Sequence, residues 1–174
     1  NYPEAIKHYN LMLESSKKLG IYRNMSMEAD VNRKIANGYE MTGDYPKAIE
    51  FVRYAMAIDS SENNLIGLVE DHRQEGRIYI YMGLYYRSIM SLEKSLKLAE
   101  GMDQSIKGVN QQAIGDTYLA LGQLYATTGK SQIAMEHLQK SLDLFRQAGD
   151  NKGEMEANLA MGSVWSDYGY FDIA

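Results

Sequence analysis

The 174-residue sequence has no cysteine at all. Thiolate nucleophiles, thiolate zinc sites and disulfide staples are excluded together, so stability has to come from packing and nothing depends on a redox compartment. Proline is reduced to two residues, far from a collagen-like composition. A basic excess is also missing: 18 Lys and Arg stand against 23 Asp and Glu, for a net charge of −5. That balance opposes binding to phosphate backbones, and no nucleic acid partner is expected. No apolar run approaches the roughly 18 to 20 residues of a membrane span. The opening NYPEAIKHYN lacks the charged-then-apolar profile of a signal peptide. No membrane partner is expected, and the localisation reads as cytoplasmic.

What is there repeats itself. One phrase returns five times: Tyr2-Pro3-Glu4-Ala5-Ile6, then Gly43-Asp44-Tyr45-Pro46-Lys47-Ala48-Ile49, then Gly83-Leu84-Tyr85-Tyr86-Arg87-Ser88-Ile89. It recurs as Gly129-Lys130-Ser131-Gln132-Ile133-Ala134-Met135 and as Gly169-Tyr170-Phe171-Asp172-Ile173-Ala174. The small residue stands at 5, 48, 88, 134 and 174, giving periods of 43, 40, 46 and 40. A second phrase lies upstream: Ala36-x-x-Tyr39, Gly76-x-x-Tyr79, Gly122-x-x-Tyr125 and Gly162-x-x-Trp165, again spaced by 40, 46 and 40. Two landmarks that keep one irregular period mark a repeat array.

Each unit reads as a helical hairpin. Apolar residues recur at helical spacing, as in Ile35 and Tyr39 of one helix and Ile49, Val52 and Met56 of the next. Small residues at 36, 76, 122 and 162 let two helices approach closely, with the following aromatic alongside. Gly43, Gly83, Gly129 and Gly169 end first helices, where a left-handed residue favours glycine. Asp44 is placed to cap the next helix, and Pro46 and Pro3 share a first-turn position. Residues 59–64, 100–103 and 149–153 read as polar turns, with the extra length of the 46-residue period near residues 101–112. The β-branched and aromatic run Ile78-Tyr79-Ile80-Tyr81-Met82 would suit a strand, but register assigns it to a helix. The methionines at 41, 56, 82, 135 and 161 read as core filler.

These landmarks resemble the tetratricopeptide repeat family, in a longer-repeat form of about 40 residues. The resemblance covers essentially the whole chain and implies an all-α solenoid of antiparallel helix hairpins wound into a right-handed superhelix. Unit by unit it predicts a second helix of a truncated repeat at 1–26, repeats at 27–65, 66–107 and 108–152, and a truncated fourth repeat at 153–174. The chain therefore reads as a piece of a longer protein, with uncapped ends able to self-associate.

In this family the first helices line a concave face, so the resemblance also implies partner-facing positions. They are Asp30, Arg33, Asn37, Glu40 and Met41; Glu70, Arg73, Arg77, Ile80 and Tyr81; Asp116, Leu119, Gln123, Ala126 and Thr127; and Glu156, Leu159, Ser163 and Ser166. Guanidinium forks grip carboxylates bidentately. Arg33, Arg73 and Arg77 therefore suggest a protein or peptide partner with an acidic or C-terminal carboxylate segment, and Ile80 and Tyr81 an apolar anchor beside it. A plainer reading pairs these arginines with Asp30, Glu70 or Asp116. The acids at 30, 70, 116 and 156 read as helix N-terminal charges acting through the dipole. Arg33 and Asn37 resemble the start of the chaperone-binding clamp, whereas Gln74, Asp116 and Ala120 depart from it.

Chemistry finds no foothold. Gly129-Lys130-Ser131 lacks the earlier glycine and preceding strand of a phosphate loop. His8, His72 and His137 form no compact ligand set and read as surface or groove-edge residues, so neither metal nor cofactor is expected. No carboxylate pair stands out for acid–base work. Asn24-Met25-Ser26 fits a glycosylation acceptor only in a secretory compartment. The function expected is a non-catalytic scaffold that holds a partner segment in its groove. The alternatives are a sensory or regulatory module controlling an attached output domain, or a self-assembly module.

Overall fold

The computed structural model describes residues 2–19, 25–102 and 107–169. The last copy of the repeated phrase at 170–174, Asn24 of the glycosylation motif and residues 103–106 of the long period lie outside them. The described residues form eight helices and no strand. They are α1 (Tyr2–Leu19), α2 (Met25–Thr42), α3 (Tyr45–Ser61), α4 (Leu65–Tyr81), α5 (Tyr85–Glu100), α6 (Lys107–Thr127), α7 (Ser131–Ala148) and α8 (Asn151–Gly169).

The reversals inside the hairpins share one device. Gly43, Gly83 and Gly129 have φ of 81°, 71° and 72°, which only glycine adopts without penalty. The next residue's N–H then turns back to a carbonyl of the finished helix, as from Asp44 to Tyr39, Leu84 to Tyr79 and Lys130 to Tyr125, each at 2.9 Å. Asp44 accepts from the Lys47 N–H and Pro46 sits in the first turn of α3. Between hairpins, Asn64 caps α4, while Asp150 accepts from the N–H groups of Lys152 and Gly153. Two sequence expectations change here. Asp59 to Ser61 belong to the last turn of α3, Glu100 to the end of α5 and Asn151 to Gly153 to the start of α8 rather than to polar turns, and Asp59 is fully buried. The acids at 30, 70, 116 and 156 lie beyond the first turns of their helices, where the dipole has faded.

Consecutive helices pack side by side, and α2, α4, α6 and α8 also touch one another, forming an inner row. The small residues allow this closeness. A Cβ on Gly76 would stand 2.6 Å from Leu92 Cγ, and one on Gly122 2.6 Å from Leu138 Cγ. Both leucines are fully buried, each contributing about 1.5–3 kcal/mol. Serines stitch the same contacts: Ser95 Oγ donates to Val69 O and Ser141 Oγ to Gly115 O, both at 2.8 Å.

The run from Ile78 is helical through Tyr81, and Tyr79 is buried against α3. Met56, Met135 and Met161 pack on the core. Met41 and Met82 do not; both are exposed, Met82 at the C-cap of α4.

Candidate functional site

The inner row encloses three adjoining hollows. The first, about 520 Å³, lies between α1, α2 and α4 and is lined by Tyr2, Tyr9, Asp30, Arg33, Asn37, Glu70, Arg73 and Arg77 among others. The second, about 270 Å³, shares Asn37, Arg73 and Arg77 with it and adds Glu40, Met41, Tyr81, Asp116, Leu119, Gln123 and Glu156. The third, about 350 Å³, shares Gln123 and Glu156 and adds Ala126, Thr127, Leu159 and Ser163. The positions expected on the concave face therefore line one groove, with Ile80 and Ser166 as exceptions. Ile80 is half-buried against Leu92, Leu121 and Leu124. It is core filler and not an apolar anchor, because one helical step from Tyr81 turns it towards α6. Ser166 is exposed on α8 and lines none of the three hollows.

The groove arginines are already engaged. Arg33 is held by Asp30, by Asp59 and, at 3.1 Å, by Asp71 Oδ1. Burial works against its charge, but these carboxylates keep the guanidinium protonated more firmly than usual. Asp59 also accepts from Asn64 Nδ2 at 2.8 Å, and Gly67 leaves room for it, since a Cβ there would run into the carboxylate. Asp71 is fully buried, and its Oδ2 has no hydrogen-bond partner. Burial pushes the Asp71 carboxyl up to about 7 against the pull of Arg33, with the Asp59 charge adding to the rise.

Arg77 grips Glu40 bidentately, at 2.7 and 2.9 Å. Arg73 has looser partners, Glu70 at 3.3 Å and Asp116 at 3.6 Å. Burial raises the Asp116 carboxyl; Arg73 opposes this, while Glu70, Glu156 and Asp150 reinforce it. Sequence reasoning foresaw Asp30, Glu70 and Asp116 as arginine partners. It missed Asp59 and Asp71, whose only signal was a charge at positions that other units fill with small or apolar residues.

The histidines stay apart. His8 is exposed on α1 and His72 half-buried on α4, while His137 of α7 stacks on Tyr125 at 5.2 Å and on Tyr118 at 5.7 Å. Burial lowers the affinity of His72 and His137 for a proton. His137 is thus a half-buried ring in an aromatic stack. Among the described residues no three histidines or carboxylates are grouped to hold a metal ion.

Hairpins with a small residue facing a buried leucine, a left-handed glycine between helices and an inner row of first helices are the features of one repeat. The family model for the tetratricopeptide repeat matches residues 74–101 and 115–147, the second and third hairpins. These two hairpins are tetratricopeptide repeats. The crystal structure of BtubC (BKLC) from P. vanneervenii superposes with a TM-score of 0.74 over 98% of this chain and 68% of that one. At 16% identity the likeness shows a shared α-solenoid fold. No curated protein matches the sequence. Tetratricopeptide repeats generally mediate protein–protein interaction and are typically non-catalytic modules. No helix among the described residues is long and apolar enough to cross a membrane.

Proposed function

We propose that this tetratricopeptide array is a non-catalytic scaffold whose concave groove holds a peptide or partner segment. The observation that carries this reading is the continuity of the groove: three hollows share lining residues along α2, α4, α6 and α8. Met41, Tyr81 and Leu159 stand in its walls with more than half of their surface exposed. Side chains of this kind, set among charged groups, are anchors for a partner chain.

An acidic or C-terminal carboxylate segment has to displace internal carboxylates at each arginine. Arg73 is the position where this exchange is easiest, since its contacts are the longest and its fold role the smallest.

Site-specific photo-crosslinking tests the groove. A photoreactive residue at Gln123 or Leu159 is expected to capture partners from the source cell, whereas the same probe at the exposed outer positions Tyr54 or Lys140 is not. Leu159→Lys, with its helicity intact by circular dichroism, is expected to abolish capture by the Gln123 probe, because it sets a charge on an exposed apolar wall of the groove. Equal capture from both faces, or capture unchanged by Leu159→Lys, would place the binding surface elsewhere.

A further inference from the structure

Resting on that reading of the groove, we infer that its occupant is a peptide segment with a basic side chain next to an apolar one, seated between α4, α6 and α8. The sequence arginines suggested the opposite charge, and their geometry removes the suggestion.

Arg77 is closed by Glu40, and Arg73 is shared between Glu70 and Asp116. Arg73, Arg77, Glu40 and Asp116 line the 270 Å³ hollow together with Glu156, while Glu70 lines the neighbouring one. The remaining cation beside Glu156 is Lys152 at 3.4 Å, a solvent-exposed pair that contributes little. Three carboxylates therefore face two guanidiniums in the central hollow. Burial raises the Asp116 carboxyl, and the Glu70 and Glu156 charges add to that rise against the pull of Arg73.

The repeat explains the imbalance. The acid recurs in every unit, but the arginine three residues later, present as Arg33 and Arg73, is replaced by Leu119 and Leu159. The groove passes from internally neutralised to acidic and apolar along its length. Leu119, Met41 and Tyr81 line the central hollow with Asp116 and Glu156. Tyr81 stacks on Tyr45 at 5.8 Å and 8°, so its ring is held in place before any ligand arrives. A lysine or arginine complements the two carboxylates, and a neighbouring aliphatic or aromatic side chain covers Leu119 and Tyr81.

The test is selection from a phage-displayed library of randomised dodecapeptides on the whole chain, followed by anisotropy titrations of the selected peptides. Selected peptides are expected to carry Lys or Arg beside an apolar residue. Their affinity is expected to fall about tenfold in the Asp116→Asn, Glu156→Gln double variant and to weaken as salt is raised. Both substitutions keep side-chain size, and circular dichroism checks the fold. Acidic or carboxylate-terminated winners, or basic winners indifferent to the double variant, would overturn the inference while leaving a groove that binds peptides. Winners that ignore Leu119→Lys, Leu159→Lys and Arg73→Glu alike, or no winners at all, would overturn the groove reading and the inference with it.

Discussion

Arg33 is the residue on which the reasoning about charge can be tested hardest. Its side chain is 12% exposed and is the cation that holds Asp59 and Asp71, whose side chains are 1% and 0% exposed. Replacing it by methionine keeps the length and apolar stem but leaves those two aspartates without their cation. Asn64 still donates to Asp59, so Asp71 bears most of the loss. Removing one partner from a buried ion pair costs about 3–5 kcal/mol, which for a chain of this length lowers Tm by about 10 °C. The loss is expected to be largest near about pH 8 and smaller near about pH 5, where protonated Asp71 no longer needs the cation. Urea and thermal unfolding followed by far-UV circular dichroism read both quantities. Adding Asp59→Asn and Asp71→Asn to Arg33→Met is expected to recover most of the stability, because the uncompensated charges are then gone. A single variant within about 1 kcal/mol of the parent near about pH 8 would refute the network's role. The same geometry makes Arg33→Glu unsuitable as a binding probe, since it sets a fourth carboxylate among three.

Asp71 alone predicts a pH dependence. Its folded pKa, about 7, lies above the ordinary 3.8, so the folded state holds the proton more tightly than the unfolded chain. The stabilisation is full below about pH 4 and is lost as pH rises through about 7, amounting to about 4 kcal/mol at most. Unfolding midpoints measured across that window are expected to fall, and Asp71→Asn, which removes the titrating carboxyl, is expected to flatten the slope; an unchanged slope would contradict the assignment. In a different part of the array, Gly122→Ala places a Cβ 2.6 Å from Leu138 Cγ and 3.3 Å from Ala134 O. It is expected to cost about 1–3 kcal/mol in urea unfolding despite the better helix propensity of alanine; a more stable variant would show that α6 and α7 have room to separate.

How much of this was legible in the sequence depends on distance along the chain. Small residues at 76 and 122 and glycines at 43, 83 and 129 announce themselves because a local steric demand recurs at every unit. The groove follows from register, since positions one or two helical turns from the small residue share the inner face. Asp59 and Asp71 were not legible, because each meets Arg33 across 26 and 38 residues and neither position is charged in the other units. Asp59 was also disguised by its neighbours: the polar run that follows it resembles a turn, whereas α3 continues to Ser61. Ile80 failed for a smaller reason. One residue is about a 100° step on a helix, enough to carry a side chain from the groove edge into the contact with α6.

A repeat array has a problem that a single-site protein lacks: equivalent units offer equivalent places, so a bound segment could occupy several registers. The break between Arg73 and Leu119 removes that equivalence. At Asp30 and Glu70 an arginine one turn away satisfies the acid within its own helix, while Asp116 has only a 3.6 Å contact from the preceding unit. Position 119 thus sets where along the groove the negative charge is left over. Leu119→Arg restores the ladder and places a guanidinium one turn from Asp116, at a cost in fold stability because Leu119 is 7% exposed and packs in the core beside Leu138; the arginine stem replaces part of that packing while its head extends into the groove. The variant is expected to lose preference for basic peptides over acidic ones while remaining as helical as the parent. Competition between one lysine-bearing and one glutamate-bearing peptide of otherwise identical sequence measures that preference. If the preference survives in Leu119→Arg, the selectivity arises from something other than the uncompensated acid, and the change from arginine to leucine along the array has a packing cause instead.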